Sequence, residues 1–318
     1  VALLGVLLPY ALGGLWRLRC ERLVQLAFAV PAALLWFAEG RPDLLALAFG
    51  AFLGLSWGAR HWLEVNLLPD TERDAYAAHA TVLTVVTSLV ALLSVTLLLQ
   101  FNADREQPVH ALYALASLVG AVVAGARLPA TPMIRLSAPW AVVGQREFIA
   151  CLPLFFLESG LLGIGMVMGA SGAVQALGQA SHYGWVATLA TVTGALALYA
   201  VRRHRQAHNR VRWMGAACAG MALAHALLGA SAVLPALYVA HLLLHSAVGP
   251  FWFASEQVLN QRTLDIRGAV SDRIVARETV LWLFRMLALG AFWFGAGGLP
   301  DAMLLALGAG LMALAAVL

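Results

Sequence analysis

Apolar runs of about 20 residues follow one another along the whole chain, separated by short polar stretches. That pattern leaves few folds open. Inside a bilayer every backbone N–H and C=O must be satisfied within the protein, and a run of that length does so as one membrane-crossing α-helix. Composition agrees, with 62% of the 318 residues hydrophobic and 11% charged, against about half and about a quarter in a soluble domain. So much apolar mass cannot be hidden inside one water-facing globule. The sequence predicts an all-α polytopic transmembrane helix bundle whose first partner is the lipid bilayer.

The runs place spans from the first residue to about Leu15, then at Leu23–Ala38, Leu44–Leu68, Ala80–Phe101 and Val109–Ala126. A break holding Pro129, Pro132 and Pro139 follows. Beyond it lie Phe148–Ala170, Tyr183–Val201, Trp213–Ala230, Leu234–Val258, Val280–Gly295 and Ala302–Leu318, about eleven helices in all. Every basic side chain is arginine and the net charge is +4. One alternate set of loops carries Arg17, Arg19, Arg22, Arg73, Arg127, Arg135, Arg146, the run from Arg202 to Arg212, Arg262, Arg267, Arg273 and Arg277; the other set carries Arg41 and Arg105. Cytoplasmic loops are the arginine-rich ones, so the first set, with the Pro-rich central loop, is expected in the cytoplasm. Nucleic-acid binding is not expected of loops this short and membrane-bound.

Cys20, Cys151 and Cys218 are far apart and lack metal-ligand spacing, so they read as free thiols or packing residues. No hydrolase elbow, zinc-protease helix, Walker loop or cysteine cluster occurs. No enzyme activity, cofactor or metal is expected, and the missing Walker loop argues against an ATP-driven pump.

Three stretches carry a family resemblance. Gly13-Gly14-Leu15-Trp16-Arg17-Leu18-Arg19-Cys20-Glu21-Arg22 is similar to the G-x-L-x-D-R-x-G-R-R loop of the major facilitator superfamily, with Arg17 in place of the acid and Cys20 in place of the second glycine. Gly54-Leu55-Ser56-Trp57-Gly58, Asn66 and Thr71-Glu72-Arg73-Asp74 resemble the end and exit loop of that family's fourth helix. Ile274-Val275-Ala276-Arg277-Glu278 with Arg285 resembles the lead into its penultimate helix, Phe284 replacing a glycine. The resemblance covers essentially the whole chain except the family's first helix. The chain opens without Met inside one apolar run and stops inside another, so both ends are expected to be trimmed.

The resemblance implies two six-helix halves: an N-terminal bundle at 1–127, a central cytoplasmic loop at 128–147 and a C-terminal bundle at 148–318. It implies a secondary transporter of the cytoplasmic (inner) membrane of a bacterium, moving a small-molecule substrate by alternating access with H+ as coupling ion. A cavity short of fixed charge leans toward an amphipathic or apolar solute and toward export. The competing expectation is a non-transporting scaffold, assembly or receptor subunit of the same fold. The protein is accordingly expected as a monomer or within a larger membrane assembly.

Candidate site residues are the polar groups inside or beside the spans. Glu158 lies in Leu154-Phe155-Phe156-Leu157-Glu158-Ser159-Gly160, and a charge at membrane depth costs about 2.5–3.5 kcal/mol on insertion scales. Such a residue suits proton or cation binding; its alternative is a neutral acid bonded to a neighbouring helix. Arg285 either meets an anionic group in a cavity shared with Glu158 or snorkels to the interface. His241 and His245, four apart, with His225 on the preceding helix, are packing histidines or a proton relay and lack the third ligand a metal needs. Arg60 and Glu64 share a helix face and can pair, beside His61. With Asn66, Asp70, Arg73, Asp74, Glu256, Arg277 and Glu278 they form the expected gating or cytoplasmic ion pairs. Glycine kinks are expected near Gly163 and Gly165.

Overall fold

The computed structural model describes residues 7–12, 17–102, 106–201, 209–294 and 299–317. After a helical segment at 7–12 (α1) come α2 (Cys20–Trp36), α3 (Pro42–Leu67), α4 (Arg73–Phe101) and α5 (Gln107–Arg127). The short helices α6 (Pro139–Val143), α7 (Arg146–Ala150) and α8 (Leu152–Phe155) lead into a π-helical turn (Phe156–Leu161) and α9 (Leu162–Leu177). Then follow α10 (Ala180–Val201), α11 (Arg210–Ala230), α12 (Ala236–Arg262), α13 (Val270–Phe294) and α14 (Leu299–Val317). No strand occurs among the described residues, and the described parts of the expected spans are helical, with the one at Phe148–Ala170 divided among α7, α8, the π turn and α9. Six of these helices are long and apolar enough to cross a membrane by length and composition alone, at Pro42–Leu67, Asp70–Phe101, Gln107–Arg127, His182–Ala200, Val211–Ala230 and Ala236–Gln257. The protein is a multi-pass membrane-helix bundle.

Helix ends depart from the apolar runs where polar residues extend the hydrogen bonding. α4 starts at Arg73, two turns before the run at Ala80, with Asp74 in its first turn facing the positive end of the helix dipole. α13 starts at Val270, ten residues before its run, with Asp272 in its first turn. Hydropathy marks the membrane, whereas backbone hydrogen bonding marks the helix, and the two differ most where charges lie. The expected kinks near Gly163 and Gly165 are not where regularity is lost. α9 runs through both, and the interruption is the π turn just before it.

The chain divides into two compact units that interleave along the sequence. The first comprises Val1–Pro69, Phe101–Leu152 and Gln261–Trp282. In it α2 packs against both α3 and α5, with Phe28 tilted onto Phe52 at 5.7 Å between ring centroids. Its core gathers Tyr10, Leu23, Leu63, Ile134, Leu264 and Ile274. The Tyr10 hydroxyl donates to the Gly58 carbonyl at 2.9 Å, which satisfies a buried phenol on the helix backbone.

The second unit comprises Asp70–Gln100, Pro153–Asn260 and Leu283–Leu318. Here α11 lies along α14, and Met214, Met221, Trp252, Leu307 and Leu311 fill the space around them. Trp213 stacks on Phe251 at 5.8 Å. Pro250 lies inside α12 and has no N–H to offer the Ser246 carbonyl one turn back. That carbonyl is turned against Gly194 of α10, where any Cβ would collide with it.

Packing in both units is inside-out relative to a soluble protein. Alanine is the commonest buried residue among the described residues, while large side chains such as Phe49, Val122 and Leu305 point outward. Lipid is as apolar as leucine, so helices gain little by hiding large side chains; they gain by close approach through small ones.

Candidate functional site

A buried charge network lies within the first unit. Arg60 and Glu64 are one turn apart on α3, and the guanidinium Nε donates to Glu64 Oε1 at 2.6 Å. Arg60 is half-exposed whereas Glu64 is buried, so the arginine offsets part of the cost of burying the carboxylate. His61 Nδ1 is 3.5 Å from Glu64 Oε2. On its other side His61 Nε2 lies 3.4 Å from Nη1 of Arg277, which comes from α13. Arg277 is 1% exposed, and its Nη1 also donates to the neighbouring Glu278 at 2.7 Å. The expected Arg60–Glu64 pairing is therefore present, and Arg277 and Glu278 reach the same network through His61.

The start of α13 also holds the chain between α5 and α6. Asp272 is 2% exposed. Its carboxylate accepts from the Ser137 N–H at 2.9 Å, the Ser137 hydroxyl at 2.5 Å and the Ala138 N–H at 3.0 Å. Earlier in the same stretch, Thr131 donates its N–H and hydroxyl to Glu21 of α2 at 3.1 and 2.6 Å. Met133 bridges to Arg19, and the Ile134 N–H bonds to the Leu18 carbonyl at 3.0 Å. Two acidic side chains thus fasten residues 131–138 to the ends of α2 and α13.

Burial alone would raise the Asp272 carboxyl, but the three donors outweigh it and hold its pKa below the usual carboxylate value. A lowered folded-state pKa adds stability that is present above the unfolded value near 3.9 and is lost as pH falls through the folded value. Asp272→Asn is expected to cost about 1.5–3 kcal/mol at neutral pH, the range for hydrogen bonds to a charged group. In thermal melts of detergent-solubilised protein, the gap between native and variant should close below about pH 4. A gap independent of pH would contradict the assignment.

Glu158 and Ser159 fall within the π turn. Such turns form where one extra residue is accommodated in a helix, and they recur at functional positions. Glu158 is half-buried. Ser159 is buried, and its hydroxyl has no hydrogen-bond partner among the described residues. Phe156 meets Phe284 edge-on at 5.4 Å, which brings the π turn beside the turn of α13 that carries Arg285. Arg285 itself is exposed.

His225, His241 and His245 cluster as their spacing suggested. Ring centroids are 6.3 Å apart for His225–His241, 6.2 Å for His225–His245 and 5.6 Å for His241–His245. Nδ1 of His225 bonds to the Met221 carbonyl and Nδ1 of His241 to the Ala224 carbonyl, each at 2.7 Å. A carbonyl only accepts, so both rings donate from Nδ1. Tyr238 flanks His241 at 5.7 Å. No group of three or more histidine, cysteine or acidic side chains among the described residues is arranged to hold a metal. His225 also contributes the polar edge of an otherwise apolar groove of about 650 Å³ between α11 and α14.

Gly165 makes the cluster possible. A Cβ there would stand 2.8 Å from His225 Nε2 and 3.4 Å from Leu307, and the imidazole cannot swing away without losing its Met221 bond. Gly165→Ala is expected to destabilise the protein by about 1–3 kcal/mol, the usual cost of overpacking. Adding His225→Ala should remove most of that penalty, and simple additivity in a double-mutant cycle of melting temperatures would show that the two do not touch.

The remaining candidates are scattered. Asn66 bonds its own helix at the Trp62 carbonyl, 2.8 Å away. Arg73 is buried and lies 3.5 Å from the exposed Asp70. Asp74 is half-buried in the first turn of α4, and Glu256 is half-buried on α12. Gly13 to Trp16 and Arg202, Arg203 and Arg205 lie outside the described residues. Sequence reading missed Glu21, Thr131, Ser137 and Asp272. The faint signal for the last was an acid at the start of a helix after Gly268, whose φ of 118° turns the chain.

No family model matches the chain, and no curated protein sequence matches it. Solved structures do. The human organic anion transporter MFSD10 (TETRAN) superposes with a TM-score of 0.63 at 16% identity, over 99% of this chain and 81% of that one. A bacterial homologue of the iron transporter ferroportin, in an outward-facing state with soaked iron, gives 0.53 at 15% identity over 99% and 86%. The chain has the major-facilitator type of fold.

Proposed function

We propose that the protein is a secondary active transporter of the facilitator type, moving a small organic solute across a bacterial cytoplasmic membrane by alternating access with proton coupling. In this reading 1–127 and 148–318 are the two bundles and 128–147 is a cytoplasmic loop. Glu158 carries the coupling proton. Arg285, His241 and His245 line the path of solute or proton. The network of Arg60, Glu64, Arg277 and Glu278, with Asn66, Asp70, Arg73, Asp74 and Glu256 at other helix ends, gates the loop side.

The observation that carries the reading is the π turn. A regular helix would be the cheaper way to cross a bilayer, and a carboxylate there is costly. Both occur at one place, on a fold shared with an organic anion transporter and an iron transporter homologue, and that combination supports a transport role. The test compares cells with and without the protein for the levels of a broad panel of metabolites and drugs, with and without a proton uncoupler. Some compound is expected to change with the protein and to lose that change with the gradient. A panel unmoved by protein that has reached the membrane would favour a non-transporting assembly subunit instead.

A further inference from the structure

We propose that five exposed arginines at the start of α2 and the end of α5, Arg17, Arg19, Arg22, Arg127 and Arg135, form a binding site for the phosphate-bearing headgroups of anionic phospholipids. None of the five has a part in the transport reading, and the inference stands independently of it.

Two sets of contacts bring the five together. Gly125 of α5 lies against Gln25 of α2, where a Cβ would stand 2.5 Å from the amide nitrogen, and Gly120 lies against Phe28, where a Cβ would stand 2.8 Å from the ring. The first turns of α2 therefore run beside the last turns of α5 in opposite directions, which puts Arg22 and Arg127 at neighbouring helix ends. Beyond them, the chain leaving α5 pairs with the chain entering α2. The Ile134 N–H bonds to the Leu18 carbonyl at 3.0 Å, Arg19 bridges to Met133, and the Cys20 N–H donates to the Thr131 hydroxyl at 3.0 Å. Arg17 and Arg135 are the residues just outside that antiparallel pairing, and they leave it at the same edge. All five arginines are exposed.

Charge and position together name the ligand. The stretches 17–22 and 127–135 hold five arginines and one acid, Glu21, and that carboxylate accepts from the N–H and hydroxyl of Thr131. Among the described residues none of the five arginines forms an ion pair, whereas Arg41, Arg60 and Arg277 each meet an acid. Cations gathered without acids repel one another, and a bound anion relieves that repulsion. The fork of donors on a guanidinium matches phosphate oxygens two at a time. Depth decides which phosphate. α5 is long and apolar enough to cross a membrane. Its Val122 and Val123, like Leu26 of α2, are large apolar residues exposed at the surface, where lipid chains cover them. Arg127 stands one turn, about 6 Å, beyond Val123, where acyl chains give way to headgroups. A free anion would meet the same guanidiniums, but only a lipid also covers the apolar residues one turn below.

The test titrates lipid into the purified full chain in non-ionic detergent and counts bound lipid by native mass spectrometry. Phosphatidylglycerol is expected to bind more tightly than phosphatidylcholine with the same acyl chains, and its affinity to fall as ionic strength rises. Arg17→Gln with Arg135→Gln should weaken phosphatidylglycerol about thirtyfold, the ratio that about 2 kcal/mol produces, at about 1 kcal/mol for each arginine. Phosphatidylcholine binding should not change. Arg22→Gln with Arg127→Gln should do the same. Arg41→Gln, which removes an arginine already paired with Asp43, should alter neither lipid. Equal affinity for the two lipids overturns the site, as do double variants that bind phosphatidylglycerol like the native chain. Inorganic phosphate that displaces phosphatidylglycerol at equal concentration would mark a soluble-anion site and overturn the lipid assignment. Where the variants fail to fold, the native protein still decides. A phosphatidylglycerol with a photoreactive headgroup must label peptides within 17–22 or 127–135, and labelling confined to other segments overturns the proposal.

Discussion

Arg277→Met is expected to lower the stability of the detergent-solubilised protein by about 3–5 kcal/mol, the cost of removing one member of a buried ion pair. The side chain is among the largest that are fully buried, and its Nη1 meets both Glu278 and His61. Methionine fills much of the volume but brings no charge. Glu278, which is 13% exposed, then loses the guanidinium that donates to it at 2.7 Å, and His61 Nε2 loses its neighbour at 3.4 Å. Thermal or denaturant unfolding followed at the tryptophans measures the loss. Because Arg277 and His61 touch, Arg277→Met and His61→Gln should be strongly non-additive. A loss under 1 kcal/mol would mean that water already serves these groups.

Glu158→Gln is expected to abolish solute accumulation while leaving the protein folded and inserted. One proton moved across 100 mV carries about 2.3 kcal/mol, equivalent to about a fiftyfold concentration ratio at 1.4 kcal/mol per tenfold. Glutamine preserves shape and hydrogen bonding but cannot exchange a proton. The steady-state ratio of a responsive compound in energised vesicles should therefore fall by about that factor, while exchange of labelled for unlabelled solute continues. Unchanged accumulation would move the coupling site elsewhere, with His241 and His245 next in line.

The fold was legible because the bilayer demands a nearly uniform signal from every span, about 20 apolar residues without interruption. Where that signal mixes with charge, as at Asp272 to Glu278, apolarity ends well before the helix does. Among the candidate residues, pairs one helical turn apart could be read directly, as Arg60–Glu64 and His241–His245 show. Pairings across the chain could not. Arg277 meets His61 from 216 positions away and Asp272 meets Ser137 from 135, and nothing in either local pattern selects the partner. The π turn was equally hidden, because Phe156 to Leu161 would suit a regular helix.

A turn closed by i→i+5 hydrogen bonds houses one residue more than the helix around it. Counted as letters, it is a one-residue insertion whose effect is paid out along the whole of α9. Each later side chain stands about 100° from where an uninterrupted helix would put it. The extra residue thus sets which face of α9 carries Gly165, and with it the close approach to His225. Delete one residue between Phe156 and Leu161, and if α9 stays in place at its far end, the near end must turn; if the near end stays, Gly165 rotates away from His225.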